Sequence, residues 1–314
     1  MLGQTATGKS ALAIALAGRY GGEIVNCDST AVYRGFDIGT DKVPPAAQRG
    51  IPHHLIDIVE PTEEYTAAQY ARDASRVIAE IHGRGRLPIL VGGTGFYYRA
   101  LTRGLFPGPG RDERLRERLR AIARRRGLAF LYRMLGRVDA ASAGRIQPRD
   151  EVRIVRALEV YFLTGRSLTA HFPETVSLLA DWHIIGVALT LPAEELVPRL
   201  ARRVDEQFAR GLLDEIRSLR ARGVPDKAHP FGGLVYRQAL EHLHGVRDEA
   251  ATRALIVREN RRYARRQLIW FRKEANLVWF RGAGESPGTF EEITRTLDTQ
   301  LWPGPRRDSV AGAP

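Results

Sequence analysis

One cysteine, Cys27, stands in 314 residues. A single thiol excludes an internal disulfide framework and any zinc site built from several cysteines. Lysine is also scarce: only Lys9, Lys42, Lys227 and Lys273 among 48 basic residues. Arginine therefore carries the positive charge, and its planar fork suits phosphate and stacks on bases. Codon bias accounts for part of that preference but not for the net charge of +12. Such a surplus attracts polyanions and suits nucleic-acid binding. No apolar run reaches membrane-spanning length and no signal peptide opens the chain, so a cytoplasmic protein without membrane contact is expected. With 44% hydrophobic and 27% charged residues, the chain has the balance of one large globular domain or two modest ones.

Little precedes the first motif. Gly3-Gln4-Thr5-Ala6-Thr7-Gly8-Lys9-Ser10 fits the phosphate-loop pattern at every fixed position. Glycines let successive N–H groups curl toward phosphate oxygens. Lys9 adds a mobile charge, and Ser10 offers a hydroxyl to magnesium. The run Ala11–Ala17 reads as a helix whose N-terminus faces the anion. Such a loop normally follows a buried strand of about five or six residues, yet only Met1 and Leu2 come before it. The first strand is therefore expected to be almost absent, through a late start assignment or truncation, and the fold weakened there.

Further along, Glu23–Asp28 reads as a buried strand ending in a carboxylate, with Ser29, Thr30 and Ala31 in the turn beyond it. Ligands sit at the carboxyl ends of such strands. Asp28 could hold magnesium through water, act as a general base, or cap a helix. Residues 36–50 read as a mobile loop, and His53–Ile58 as a strand whose two histidines point to opposite faces. Tyr65–Arg84 is helical, opened by Thr66. Leu87–Val91 is a buried parallel strand ending in Gly92-Gly93-Thr94-Gly95, a second glycine turn that offers the Thr94 hydroxyl to a ligand.

The character changes near residue 107. Pro107-Gly108-Pro109-Gly110 is a linker signal. Eight arginines and three acids follow between Arg111 and Arg126, then helices over Leu128–Leu135 and Val152–Thr164. This reads as an all-helical insertion facing RNA. Strand character returns at Trp182–Leu189. Glu194–Leu219 reads as one long amphipathic helix, with Arg199 and Arg203 on a shared face. Phe231–Gln238 is a glycine turn opening another helix. Arg253–Lys273 holds eight basic residues against the single acid Glu259, interleaved with Tyr263, Trp270 and Phe271. Arginine with aromatic neighbours can stack exposed bases, while Leu268, Ile269 and Trp270 are partly core. Val278–Phe280 is the last expected strand. The expected fold is α/β: a P-loop parallel sheet flanked by helices, residues 1–108 and 181–300, interrupted by the helical insertion at 109–180, with a disordered tail at 301–314.

Taken in order, these motifs closely resemble the tRNA dimethylallyltransferases, or tRNA isopentenyltransferases, over about residues 3–282. The resemblance rests on the loop at Gly3–Ser10, Asp28-Ser29 with Val32-Tyr33-Arg34-Gly35, Asp37-Ile38-Gly39-Thr40, His53–Asp57, Leu90–Thr94, Arg153–Val160, Tyr236-Arg237-Gln238, and Arg265-Arg266-Gln267 with Trp270-Phe271-Arg272. Gln4 stands where the family usually has proline, a difference expected to matter little.

The family moves a dimethylallyl group from its diphosphate to N6 of adenosine at tRNA position 37, beside the anticodon, and requires magnesium. The resemblance implies that Gly3, Gln4, Thr5, Ala6, Thr7, Gly8, Lys9 and Ser10 hold that diphosphate, with Ser10 on Mg²⁺. It implies Asp28 as general base, Thr94 near the leaving group or tRNA, and Arg203, or else Arg199, at the diphosphate. The implied tRNA contacts are Asp28, Ser29, Thr30, Ala31, Thr94, Arg116, Val152, Arg153, Ile154, Val155, Arg156, Tyr236, Arg237, Gln238, Arg265, Arg266, Gln267, Trp270 and Arg272. The partners are then dimethylallyl diphosphate and a tRNA anticodon stem-loop, taken by a monomer.

The physics agrees. Allylic C–O cleavage loads negative charge on diphosphate, which loop amides, lysine, arginine and magnesium receive, and the amine needs a carboxylate for its proton. The rival readings are a phosphate-loop kinase for a small molecule and a non-catalytic RNA-binding ATPase. Both predict ATP turnover without prenyl transfer.

Overall fold

In the computed structural model, which describes residues 1–301, the chain forms two compact units. One comprises Met1–Leu101 and the chain from Asp181 onward; the other is Thr102–Ala180. The first unit boundary falls between Leu101 and Thr102, at the end of a helix, and residues 109–180 lie within the second unit. Residues 103–108 belong with the second unit, where the backbone at Gly104 packs on the Val176 carbonyl and Ser177 donates to the Thr102 carbonyl at 2.7 Å.

The larger unit opens with β1 (Leu2–Gly3), α1 (Lys9–Tyr20), β2 (Gly22–Cys27), β3 (His53–His54), α2 (Ala67–Gly83), β4 (Leu87–Gly92) and α3 (Gly95–Thr102). After the helical unit it resumes with β5 (Gly186–Thr190), α8 (Ala193–Ala209), α9 (Leu212–Ala221), α10 (Tyr236–Leu243), α11 (Glu249–Phe271), β6 (Leu277–Arg281) and α12 (Pro287–Leu301). Between them lie α4 (Glu113–Arg126), α5 (Leu128–Val138), α6 (Ala140–Arg145) and α7 (Glu151–Thr164).

All strands pair parallel, in two three-stranded ladders ordered β3-β2-β4 and β1-β5-β6. The expected near-absence of the first strand is met by a two-residue β1. Leu2 and Gly3 nonetheless register opposite Ala188 and Leu189 of β5, and the Met1 carbonyl accepts from the Gly92 amide at 3.2 Å. Those few residues therefore touch both ladders. Buried Leu12, Leu16, Val187, Leu189 and Phe280 close the core on one side of α1, and Ala13, Ile14, Ala17, Ile24 and Val91 on the other.

Local chemistry explains most boundaries. Thr66 caps α2 in a capping box: its hydroxyl accepts from the Gln69 amide at 3.2 Å while Gln69 returns to the Thr66 amide at 2.8 Å. Three expectations are corrected. The long helix over 194–219 is two helices, α8 and α9, because Gly211 takes a left-handed φ of 91° and turns the chain. The strand expected at His53–Ile58 ends after His54, since Leu55 and Asp57 hold φ of 60° and 55°. Leu301, placed in the tail, is the last residue of α12; the rest of that tail lies outside the described residues. Among the described residues no helix is long and apolar enough to cross a membrane.

Candidate active site

The loop before α1 is braced by its own side chains and by two neighbouring elements. Gly8 precedes the helix in the left-handed region, φ 82°. The Thr7 hydroxyl and the Lys9 ammonium both donate to the Gln4 carbonyl, at 2.8 and 2.5 Å. Gln4 is buried, and its Oε1 accepts from the Thr190 hydroxyl at 3.0 Å and the Leu191 amide at 3.3 Å, tying the loop to the end of β5. From α11, Gln267 accepts from the Thr5 amide at 2.8 Å and donates to the Gly93 carbonyl at 2.9 Å. Gln267 thus staples the two glycine turns together.

A cavity of about 440 Å³ opens over the loop. Its polar wall includes Thr5, Lys9, Ser10, Asp28, Arg199 and Arg203; its apolar wall includes Ala13, Ile24, Val43, Ile56 and Val91. Arg199 donates from Nε to the Ala6 carbonyl at 2.7 Å and pairs with Glu285. Arg203 reaches Thr5 Oγ1 at 2.9 Å and pairs with Asp41. Both arginines therefore stand at the loop, one helical turn apart on α8. Desolvation and, next, the Arg203 charge pull the Lys9 ammonium down to about 7, against some support from Asp28. Burial pushes the Cys27 thiol up to about 12, so it stays neutral beneath the site.

A second cavity, about 400 Å³, is lined by Ser29, Thr30, Gly39, His229, Gly232–Val235 and Asn260. Thr5, Asp28, Thr40, Arg203 and Tyr263 line both cavities. Asp28 is thus common to two openings at the ends of β2 and β4. Its Oδ1 accepts from the Thr30 amide at 2.8 Å, the Thr30 hydroxyl at 2.7 Å and the Ala31 amide at 3.4 Å. This is a local turn cap. Oδ2 has no hydrogen-bond partner among the described residues, so the cap and a second task are compatible. The Thr94 hydroxyl accepts from the Ser29 amide at 3.0 Å and lies 3.3 Å from the Ser29 hydroxyl. Thr94 fastens the Asp28 turn to β4.

The residues singled out for RNA sort by exposure. In the larger unit Arg237, Arg265, Arg266 and Arg272 are exposed, and Ser29 and Thr30 half-buried. Four of these residues are buried. Tyr236 is fully buried and donates to Glu215 at 2.5 Å and to no surface group, while also accepting from the Gly39 amide. Gln238 is buried against the Val235 amide, 2.9 Å away. Gln267 is spent on the staple, and Ala31 is buried. Trp270 is half-buried; its ring packs on the Cα of Gly95 and takes Arg99 over it at 4.2 Å.

In the helical unit Val152 and Arg153 are exposed, but Ile154 and Val155 belong to its core beside Leu119, Leu131, Leu135 and Leu158. Arg116 is engaged within this unit. It is locked on fully buried Glu159 by two bonds of 2.8 and 2.9 Å, with Arg156 adding a third at 2.6 Å. Burial pushes the Glu159 carboxyl up, yet the bonds from Arg116, Arg156 and the Asp112 amide together hold it below its ordinary range. Replacing Glu159 with glutamine removes the buried charge that pairs two partly exposed guanidinium groups, a loss of about 3 kcal/mol. Amide exchange across α4, α5 and α7 is expected to quicken by about a hundredfold. Unchanged protection there would show that the pair contributes nothing.

Several residues escaped the sequence. Asp41 and Asn260 carry no motif that separates them from solvated positions, and the sequence marks Tyr263 only as one aromatic among the basic residues of 253–273. Glu285 comes from the turn after β6, far from the loop in sequence. Only the four-residue spacing of Arg199 and Arg203 was legible. No group of three or more His, Cys, Asp or Glu among the described residues could hold a metal. A divalent ion at Ser10 would therefore depend on phosphate oxygens and water, the manner in which magnesium is usually held at phosphate loops.

A family profile described as IPP transferase matches residues 31–274. The tRNA dimethylallyltransferase of Solibacter usitatus is 47% identical over 285 residues, 91% of this chain and 92% of its own. That of Geobacter metallireducens is 45% identical, with 94% of both chains covered. Among solved structures, the tRNA isopentenylpyrophosphate transferase of Bacillus halodurans aligns with a TM-score of 0.70 at 36% identity, over 96% of this chain and 95% of that one. A eukaryotic dimethylallyltransferase acting on tRNA aligns at 0.79 and 26% identity, over 98% and 80%.

Proposed function

The chain belongs to the IPP transferase family of tRNA dimethylallyltransferases, and from that premise we propose how its residues divide the work. The reaction is transfer of a dimethylallyl group to tRNA. The kinase reading is set aside, since the matched relatives are prenyl-transferring enzymes. The finer assignment is N6 of adenosine at position 37, presented by an anticodon stem-loop, with dimethylallyl diphosphate as donor.

One observation carries the division of labour: Asp28 and Arg203 line both the cavity over the phosphate loop and the cavity beside it. The donor's diphosphate occupies the first, against the loop amides, Lys9, Arg199 and Arg203. Its five-carbon tail lies on Ala13, Ile24, Val43, Ile56 and Val91. The acceptor base, taken out of its stack, enters the second cavity past His229 and Tyr263. Asp28 Oδ2, without a hydrogen-bond partner among the described residues, takes the proton from the exocyclic amine as the C–N bond forms. Loop amides and cations receive the charge that gathers on the leaving diphosphate. Gln267 and Thr94 act as positioning residues: one holds the loop, the other the Asp28 turn. Ser10 is the residue that would hold a magnesium ion, which would supply charge neutralisation at the leaving group. Exposed arginines on α11 and around α7 attract the phosphate backbone within their own units.

The test mixes the protein, labelled dimethylallyl diphosphate, magnesium and unmodified tRNA with adenosines at and around position 37. Label is expected in tRNA, and lost when guanosine replaces adenosine 37. No label in tRNA, with phosphoryl transfer from ATP instead, would overturn the assignment.

A further inference from the structure

The turn that follows β6 docks on the phosphate loop. The Gly284 amide donates to the Thr7 carbonyl at 2.8 Å. A Cβ placed on Gly284 would lie 2.3 Å from the Gly8 carbonyl oxygen, and one on Gly8 would lie 1.9 Å from Glu285 Oε2. Backbone therefore meets backbone here, and the Glu285 carboxylate rests directly on the glycine that precedes α1. Its other oxygen pairs with Arg199. Glu285 also lines the 440 Å³ cavity, and its side chain is 46% exposed.

An anion thus stands where the loop is built to receive one, at a helix N-terminus and on one of the two arginines that face the loop. Two further donors are turned on the loop itself: Arg199 Nε on the Ala6 carbonyl and Lys9 on the Gln4 carbonyl. We infer that Glu285 is an internal anion that holds Arg199 at the cradle and must release it to an incoming diphosphate. This rests on reading Gly3–Ser10 as a diphosphate cradle. The carboxylate satisfies Arg199 when no substrate is present, and its charge opposes ligands that cannot displace it. A diphosphate, carrying several charges and reaching Lys9, Arg203 and the loop amides together, has the means to win that exchange. A singly charged phosphoester has not.

Calorimetric titration with inorganic diphosphate tests this on the full chain. Glu285→Gln keeps the shape and removes the charge, and binding is expected to tighten about fivefold, the scale of a half-exposed ion pair. The gap should close as salt rises, because exposed charges are screened. Equal or weaker binding by the variant overturns the inference, and so does a gap that persists at high salt. Melting temperature verifies the fold; Glu285→Ser offers the same comparison should the glutamine variant unfold. Lys9→Ala serves as control, since it must lose the binding if the signal arises at the loop. No binding by the parent chain overturns the cradle reading itself, and Glu285 falls with it.

Discussion

Asp28→Asn is expected to lower kcat for prenyl transfer by about a thousandfold, within the range for loss of a general base. Asparagine can still accept from the Thr30 amide and hydroxyl through Oδ1, as Asp28 does at 2.8 and 2.7 Å. The turn should therefore hold, and melting should shift little. What is lost is Oδ2 as a proton acceptor. Such a change lowers kcat and kcat/KM together, because the interaction matters only in the transition state. Single-turnover rates and tRNA binding, measured separately, decide the matter. A large loss of tRNA affinity with a nearly normal single-turnover rate would mean that Asp28 positions RNA and does not take the proton.

Lys9→Met is expected to reduce kcat/KM for dimethylallyl diphosphate by about a hundredfold, the scale of losing one donor to developing negative charge. Lys9 also makes binding depend on pH. Burial and the Arg203 charge hold its ammonium near 7, against an ordinary 10.5. Below about pH 7 the folded chain keeps an enclosed ammonium and bears that cost in full. Between about 7 and 10.5 the unfolded chain binds the extra proton, so this site's contribution to stability rises with pH. A diphosphate favours the charged form. Above pH 7 its binding must therefore take up a proton, and affinity should fall by as much as about tenfold per pH unit. Calorimetry in buffers of different ionisation enthalpy reads the uptake directly. Lys9→Met should abolish it. Uptake that survives the substitution would place the titrating group elsewhere.

Much of the chemistry was legible in the chain because it is local. The phosphate loop is eight consecutive residues followed by a helix former, and the Asp28 and Thr94 turns each end a run of buried strand. Thr66 and Gln69 announce α2 through a contact that spans three residues. The basic runs at 111–126 and 253–273 report charge, and charge survives whatever the fold does with it. What the sequence left open was facing. Tyr236, Gln238, Gln267, Ile154 and Val155 sit in segments matching the family, and the segment match cannot say which side of a helix meets the core. Arg116 reads as one more arginine on a basic helix until Glu159, some forty residues on, is found beneath it.

By itself, then, the sequence determined the reaction class, the anion-binding loop, the α/β alternation and the helical interruption. Each is written in residues adjacent along the chain or in an order of motifs. Tertiary structure alone decided that Arg199 and Arg203 both stand at the loop, that Gln267 staples two glycine turns, and that Asp28 serves two cavities. It alone brought Glu285 onto Gly8. These pairings join residues separated by up to nearly the whole chain. They depend on parallel strands brought side by side by crossover helices, and hydrophobic burial drives that association without leaving a trace in the local pattern.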